Sequence, residues 1–347
     1  MTGTSDKRRM TTLAIDAMGG DHGAGVIVPA AVAALQRHAH LELVLVGDEG
    51  VLREALETGG GHPARLHVHH ASQIVGMDEP PAQALRFKKD SSMRVAIDLV
   101  RDGRADACVS AGNTGALMAT ARYVLKTLPG LDRPAICTAM PASQGHTHML
   151  DLGANVECSA EHLAQFAVMG SILATAVDSV DAPRVGLLNV GAEQIKGNDQ
   201  VKEADRLLRQ SDLNYIGFVE GNDIYGDRVD VIVCDGFVGN VSLKTSEGVA
   251  ELIGSYLRQE FGRNLWNRMV GALALPILRR IRERIDPRRY NGASLLGLQA
   301  TVIKSHGSAD SVSFGHAIDI SVLTVDKDVP ERIDRHLEKY LAGSGPS

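Results

Sequence analysis

The chain has 347 residues, 44% of them hydrophobic and only 4% aromatic, enough to bury one large aliphatic α/β unit or two lobes. It lacks the apolar run of about 18 residues that a membrane-spanning helix needs, and a net charge of −6 argues against a general nucleic-acid binder. Cys108, Cys137, Cys158 and Cys234 are far apart and form no CxxC pair, which excludes a disulfide framework and reads as buried thiols in a reducing cytoplasm.

The basic start, MTGTSDKRRM, is followed by no apolar segment and is not expected to be a signal peptide. Residues 1–10 and 341–347 are expected to be flexible tails. A strand over 13–15 ends in the glycine-rich loop DAMGGDHGAG, before a helix expected from about Val28 with Pro29 in its first turn. That loop lacks the GxGxxG of a dinucleotide site. Strands follow at 41–46 and 66–70, with a short helix at 51–57 between them. His67 and His69 share a face of the second strand by alternation. With no carboxylate or cysteine at ligand spacing, they read as an exposed or edge strand, and no metal is expected in the chain. Helical patterns at 82–88 and 93–101 precede a strand at 107–110 that ends in SAGNTGALMA, opening a helix to about Lys126. Further strands are expected at 135–139, 149–152, 185–190, 215–219 and 231–234, and helices at 160–178 and after Asn198. This alternation predicts a three-layer α/β/α sandwich around a mainly parallel sheet.

At 229–248 an apolar strand pattern breaks at Asp235, Gly236 and Gly239, and a helical pattern begins at Asn240 with Lys244 one turn in. Asn240 at such a helix start is either an ordinary N-cap or a donor to a bound anion. Apolar residues then recur at helical spacing to Ile285. They predict two amphipathic helices joined near GALALPIL, where Pro276 interrupts or starts a helix. From Arg258 to Arg289 nine arginines stand against Glu260, Glu283 and Asp286, on a chain that is otherwise acidic. A basic arm with an apolar tip fits a dimer interface, an anionic membrane surface, or both. Short strands at 294–298 and 301–304 lead through SHGSAD to a helix from Asp310.

No Walker A loop, HExxH, GxSxG elbow or CxxC is present, and nothing marks a covalent nucleophile. What remains is a set of strand-end loops rich in Gly, Asn, Ser and Thr, with lone lysines at Lys196, Lys244 and Lys304. Backbone amides, hydroxyls and fixed lysines suit an oxyanion such as phosphate without a metal. Asn113, Thr114, His306 and Ser308 are candidate phosphate or pantetheine contacts, though each also suits a cap or a turn.

Six blocks in order carry a more specific signal. They are IDAMGGD (15–21), SAGNTGALM (110–118), DLGANVE (151–157), LLNVG with KGN (187–198), DGFVGNVSLKTSEG (235–248) and GASLLGL with TVIKSHGS (292–308). Together, over about residues 11–325, they resemble the bacterial phosphate acyltransferase family of phospholipid synthesis. The resemblance implies conversion of fatty acyl-acyl-carrier-protein and inorganic phosphate to acyl phosphate and free carrier protein. The acyl phosphate then feeds a membrane acyltransferase that acylates glycerol 3-phosphate. It also implies a dimeric α/β/α fold with a cleft, related to phosphotransacetylases and isocitrate/isopropylmalate dehydrogenases, and a cytoplasmic or peripherally membrane-associated protein. The family's active-site lysine falls on Lys196 and its asparagine on Asn240. No cofactor is expected. Residues 11–330 are then read as one catalytic domain with two lobes around a cleft, including a helical arm at 241–289. Alternatives are a phosphotransacetylase using acyl-CoA and a non-catalytic membrane scaffold. An isocitrate-type dehydrogenase is disfavoured, because neither its aspartate cluster nor a nucleotide fingerprint is present.

Overall fold

The computed structural model describes residues 9–59 and 61–343. The first half alternates β1 (Thr11–Asp16), α1 (Ala24–Arg37), β2 (Leu41–Gly47), α2 (Glu49–Gly59), β3 (Leu66–His70), α3 (Pro81–Phe87), α4 (Ser92–Arg101), β4 (Ala107–Ser110) and α5 (Thr114–Leu125). The hairpin β5 (Ala135–Pro141) and β6 (His146–Leu150) leads into α6 (Ala160–Asp178). A second alternation gives β7 (Val185–Leu188), α7 (Asp199–Arg209), β8 (Tyr215–Val219), β9 (Val231–Val233) and α8 (Gly236–Gly262). After α9 (Leu265–Ile285) come the hairpin β10 (Ala293–Leu296) and β11 (Thr301–Lys304), then α10 (Ser311–Asp326) and α11 (Val329–Gly343).

The strands form one sheet in the order β3-β2-β1-β4-β11-β10-β5-β6-β9-β7-β8. The first five are mutually parallel, and so are the last four. Between them the β11–β10, β10–β5 and β5–β6 pairings are all antiparallel. The two parallel blocks therefore run in opposite directions, and their C-terminal ends, where open α/β sheets hold ligands, face opposite edges of the sheet.

Helices cover both faces, which explains why β4, β7, β9 and β11 are buried throughout, with β7 and β9 apolar without alternation. On one face α1, α2 and α10 pack on Leu13, Ile15, Leu43, Val109 and Ile303, and α6, α7 and α11 on Cys137, Leu150, Leu187 and Val233. On the other, α4 and α5 cover Ala14, Cys108 and Val302. β3 is an edge strand, as its polar face requires, and His67 Nε2 lies 2.6 Å from Glu42 Oε1 across to β2.

Several boundaries differ from the sequence expectation. α1 begins at Ala24, so Pro29 sits in its second turn. β6 starts at His146 and stops at Leu150. α11 continues to Gly343, into the expected C-terminal tail; residues 344–347 and 1–8 lie outside the described residues. The largest correction concerns α8. Its N-cap is Asp235, whose Oδ1 accepts the Val238 N–H at 2.8 Å, and Asn240 is already inside the helix. Gly236 and Gly239 look like breaks, but they are required by close approach. A Cβ on Gly239 would stand 1.8 Å from the Asp151 carbonyl oxygen, and one on Gly236 2.6 Å from that of Asn155. The turn between the arm helices falls at Arg263–Asn264, with Asn264 capping α9, so the join is not near GALALPIL and Pro276 lies within α9 instead of interrupting or starting a helix. Gly271 lets the two helices close up, since a Cβ there would meet the Phe261 ring at 2.9 Å.

Candidate functional site

Two sets of loops carry the sequence candidates. The first set follows β1, β4 and β11. The loop after β1 turns through Gly20, at φ +83°, and the Asp21 N–H donates to the Gly307 carbonyl at 2.8 Å. The Ser305 N–H donates to the Ser110 carbonyl at 2.8 Å, so the three loops are laced together by backbone bonds. Beneath them Asp16 is fully buried and accepts Ser110 Oγ at 2.6 Å, which in turn accepts the Gly112 N–H at 3.0 Å. Burial pushes the Asp16 carboxyl upward, against hydrogen bonds from Ser110 and Ser92. A small cleft lined by Gly19, Gly23, Ala111, Gly307 and Phe314 opens beside this network.

Lys304, at the end of β11, is buried and donates to the carbonyls of Ala111, at 3.3 Å, and Ser305. Burial pulls its ammonium down to about 8, with Asp16 partly opposing and Lys244 reinforcing. His306 contacts Ser308 Oγ through Nδ1 at 2.8 Å and Lys244 Nζ through Nε2 at 3.4 Å. Its pKa is lowered by burial and then by Lys244, which favours the neutral ring. Lys244 also pairs with Glu247 at 2.7 Å. Asn291 braces the group, accepting the His306 N–H and donating to Ser305 Oγ, both at 2.8 Å.

The second set follows β6, β7 and β9. Asp151 is buried beneath it and accepts the N–H groups of Ile136, Ala154 and Asn155 together with the Asn155 amide. Burial raises its pKa, against those hydrogen bonds. Asn240 is exposed on α8 above Gly153, and among the described residues its amide makes no hydrogen bond. Lys196 is an exposed loop residue, 2.8 Å from Glu193, which raises its pKa. Its backbone carbonyl accepts from Asn189 at 3.2 Å.

The candidates therefore divide. His306 and Ser308 touch each other. Asn240 lies one helical turn before Lys244, on the same face of α8, but its neighbour is Gly153 in the second set of loops. Asn113 stands beside the same loops but is occupied: its Oδ1 caps α5 and both amide hydrogens go to the carbonyls of Met77 and Glu79. Thr114 is exposed at the first position of α5. Lys196 stands apart on the β7 loop, in no described contact with any of them. Sequence reasoning missed Asp16, whose partner Ser110 is 94 residues away, and Asp151, whose partners include the neighbouring Ala154 and Asn155. It named Lys244 and Lys304 only as lone lysines; the sign of Lys304's burial is that it closes the apolar run TVIK.

Chemically, two lysines, a neutral histidine and loop N–H groups can hold an oxyanion. A cysteine nucleophile is disfavoured. Cys108, Cys137 and Cys234 are buried, and burial raises all three thiols, while Cys158 is pushed up to about 11.

The family described as fatty acid synthesis protein matches residues 11–332. The chain is 64% identical over 332 residues to a phosphate acyltransferase of Alkalilimnicola ehrlichii, covering 95% of this chain and 97% of that one. It is 61% identical over 332 residues to one of Halorhodospira halophila, with the same coverage. Among solved structures, a phosphotransacetylase from Streptococcus pyogenes aligns with a TM-score of 0.59 at 18% identity, over 91% of this chain and 94% of that one. A 4-hydroxythreonine-4-phosphate dehydrogenase from Klebsiella pneumoniae aligns with a TM-score of 0.52 at 14% identity, over 92% and 99%. These two likenesses establish the fold: the sandwich shared by phosphotransacetylases and such dehydrogenases.

Proposed function

Because the chain belongs to the fatty acid synthesis protein family, with curated phosphate acyltransferases as its relatives, we propose that it moves a fatty acyl group from an acyl-carrier-protein thioester to inorganic phosphate. The products are an acyl phosphate and the free carrier thiol. The observation that carries this reading is the cluster of Lys244, Lys304, His306 and Ser308 beside a glycine-lined cleft, in a chain whose cysteines are held protonated.

Phosphate is itself the nucleophile. One of its oxygens attacks the thioester carbonyl, the carbonyl becomes an oxyanion, and its collapse expels the carrier thiolate. No enzyme nucleophile is required. The protein holds the two reactants in attack geometry, which supplies several kcal/mol of rate acceleration. His306, Ser308 and the loop carrying Asn113 and Thr114 face phosphate or the pantetheine arm. Asn240 donates to phosphate or to the developing oxyanion, the step where a single donor counts most. Lys196 balances the phosphate charge; its ion pair with Glu193 is solvent-exposed and therefore weak, so phosphate can displace it.

The test is release of carrier thiol from acyl-carrier-protein with and without phosphate. Release that ignores phosphate overturns the proposal, and faster turnover of acyl-CoA moves the enzyme to the phosphotransacetylase reading. Liposome binding without any thioester cleavage favours a scaffold. No nucleic acid takes part.

The arm supports the remaining parts of the reading. Tyr256, Leu257, Leu265, Trp266, Met269 and Leu273 are exposed along α8 and α9, beside the arginines of the same helices. Such a surface suits a second copy of the chain, an anionic lipid surface, and contact with the membrane acyltransferase that consumes acyl phosphate. Among the described residues only α6 is long and apolar enough to cross a membrane, and 72% of it is buried in the core. Residues 11–330 act as one catalytic domain, in the cytoplasm and peripherally at the membrane.

A further inference from the structure

At the start of β6, His146 and His148 are two residues apart on a strand and so face the same side. That side meets the last residue of α6, Asp178, and the three groups converge. His146 Nε2 lies 3.1 Å from Asp178 Oδ1, His148 Nε2 lies 2.6 Å from Asp178 Oδ2, and the two Nε2 atoms are 3.3 Å apart. The rings stand nearly perpendicular, at 86°. His148 is buried, His146 partly so and Asp178 exposed, which leaves one side of the group open to solvent.

Two of these separations, 3.1 and 3.3 Å, are also those of neighbouring ligands around one ion, while the 2.6 Å His148–Asp178 contact is a charge-assisted hydrogen bond that a bound ion would replace. In tetrahedral zinc sites with Zn–N of about 2.0–2.1 Å, neighbouring ligand atoms stand about 3.3 Å apart. Two imidazole nitrogens and a carboxylate oxygen lie within 4.8 Å of one another, close enough to share one ion. The electrostatics agree. α6 ends here, at Ser179 in the left-handed region (φ 58°), so its C-terminal carbonyls add partial negative charge to that of Asp178. The nearby Asp230 carboxylate is held by Arg184 at 2.8 Å, so it is not the fourth ligand. Two imidazoles and one carboxylate select a borderline-soft divalent ion over Mg²⁺ or Ca²⁺.

We propose that His146, His148 and Asp178 form a zinc-type divalent metal site that fastens the start of β6 to the end of α6. The sequence reading expected no metal and did not single out these histidines, whose partner Asp178 lies 30 residues beyond His148. An ion there would tie two elements together: β6 begins at the site, and the buried Asp151 of the candidate active site follows its other end.

The test uses the full chain, free of any tag and stripped with chelator, titrated with Co²⁺. The expected result is one Co²⁺ per chain with the intense visible absorption of a tetrahedral site, displaced by Zn²⁺, and a melting temperature raised by either ion. In Asp178→Asn and His146→Gln, affinity should fall about 100-fold or more, since losing even a group that only orients a ligand costs about 10–100-fold. His146→Gln is the safer variant for folding, because His146 is the more exposed histidine. A control, His69→Ala on the edge strand β3, should bind as the wild type does. The proposal is overturned if the wild type takes up no stoichiometric Co²⁺, or if the two ligand variants bind as tightly as the wild type.

Discussion

The two edges of the sheet treat their polar groups in opposite ways. Behind β1, β4 and β11 a carboxylate and a lysine, Asp16 and Lys304, are buried and fixed by Ser110 and by backbone carbonyls. Behind β7 and β9 the two residues that the family resemblance singles out, Lys196 and Asn240, face solvent, while Asp151, under the start of α8, is locked. The helix α8 joins the edges, since it starts against Asp151 and reaches His306 through Lys244. The first group is fixed by the fold itself, whereas Lys196 and Asn240 are free to meet a ligand from solvent.

The largest expected effect breaks the solvent-facing edge. Asn240→Ala and Lys196→Ala should each lower the rate of acyl phosphate formation by about 10²–10³, the usual cost of one transition-state donor. Neither should lower the melting temperature, because neither side chain packs in the core. Near-wild-type turnover in both variants would remove that edge from the chemistry.

Next comes Gly239→Ala, which drives a methyl group into the Asp151 carbonyl. Overpacking of this kind costs about 1–3 kcal/mol, occasionally more. Denaturant unfolding should show that loss, together with lower activity from a displaced α8. An unchanged midpoint would mean that α8 does not rest on Asp151.

Lys304 sharpens the other edge through pH. Its folded pKa of about 8 lies below the ordinary 10.5, so between those values the unfolded chain binds more protons than the folded one. The penalty for burying its charge is fully present below pH 8, and stability from this group should rise as pH climbs from about 8 to 10.5. Lys304→Met should flatten that rise in urea unfolding and weaken phosphate binding. A wild-type curve with no upward component in this window would show that the lysine is not desolvated.

The smallest effect separates a cap from a site on the same helix. Asp235→Ala should cost about 1 kcal/mol, as loss of an N-cap typically does, because Asp235 and not Asn240 accepts the Val238 N–H. Stability should thus respond to Asp235, and rate to Asn240. The reverse pattern would return Asn240 to a capping role.

Much of the fold was legible because burial writes itself into local pattern. The apolar runs at β4, β9 and β11 and the helix at α6 stand where the sequence placed them. The reversal of the second parallel block was not legible, because it depends on how β10 and β5 insert between β11 and β6. The start of α8 was misplaced for a local reason. Glycine marks both a chain break and a close approach, and only the Asp151 carbonyl shows which applies at Gly239. Pro276 misled similarly, since an exposed arm helix packed on its neighbour carries a proline through. In the candidate site, blocks of sequence located the loops, but side-chain pairing was hidden. Ser110 meets Asp16 across 94 residues and Lys244 meets His306 across 62, separations that no local spacing rule reaches.

The most direct measurement is a single-turnover experiment with excess enzyme over acyl-carrier-protein, following carrier thiol with phosphate absent and then added. If phosphate is the attacking nucleophile, no thiol appears until phosphate is added, no acyl group is found on the protein, and acyl phosphate then forms in step with thiol. A burst of thiol before phosphate is added, with the acyl chain covalently on the enzyme, would contradict it.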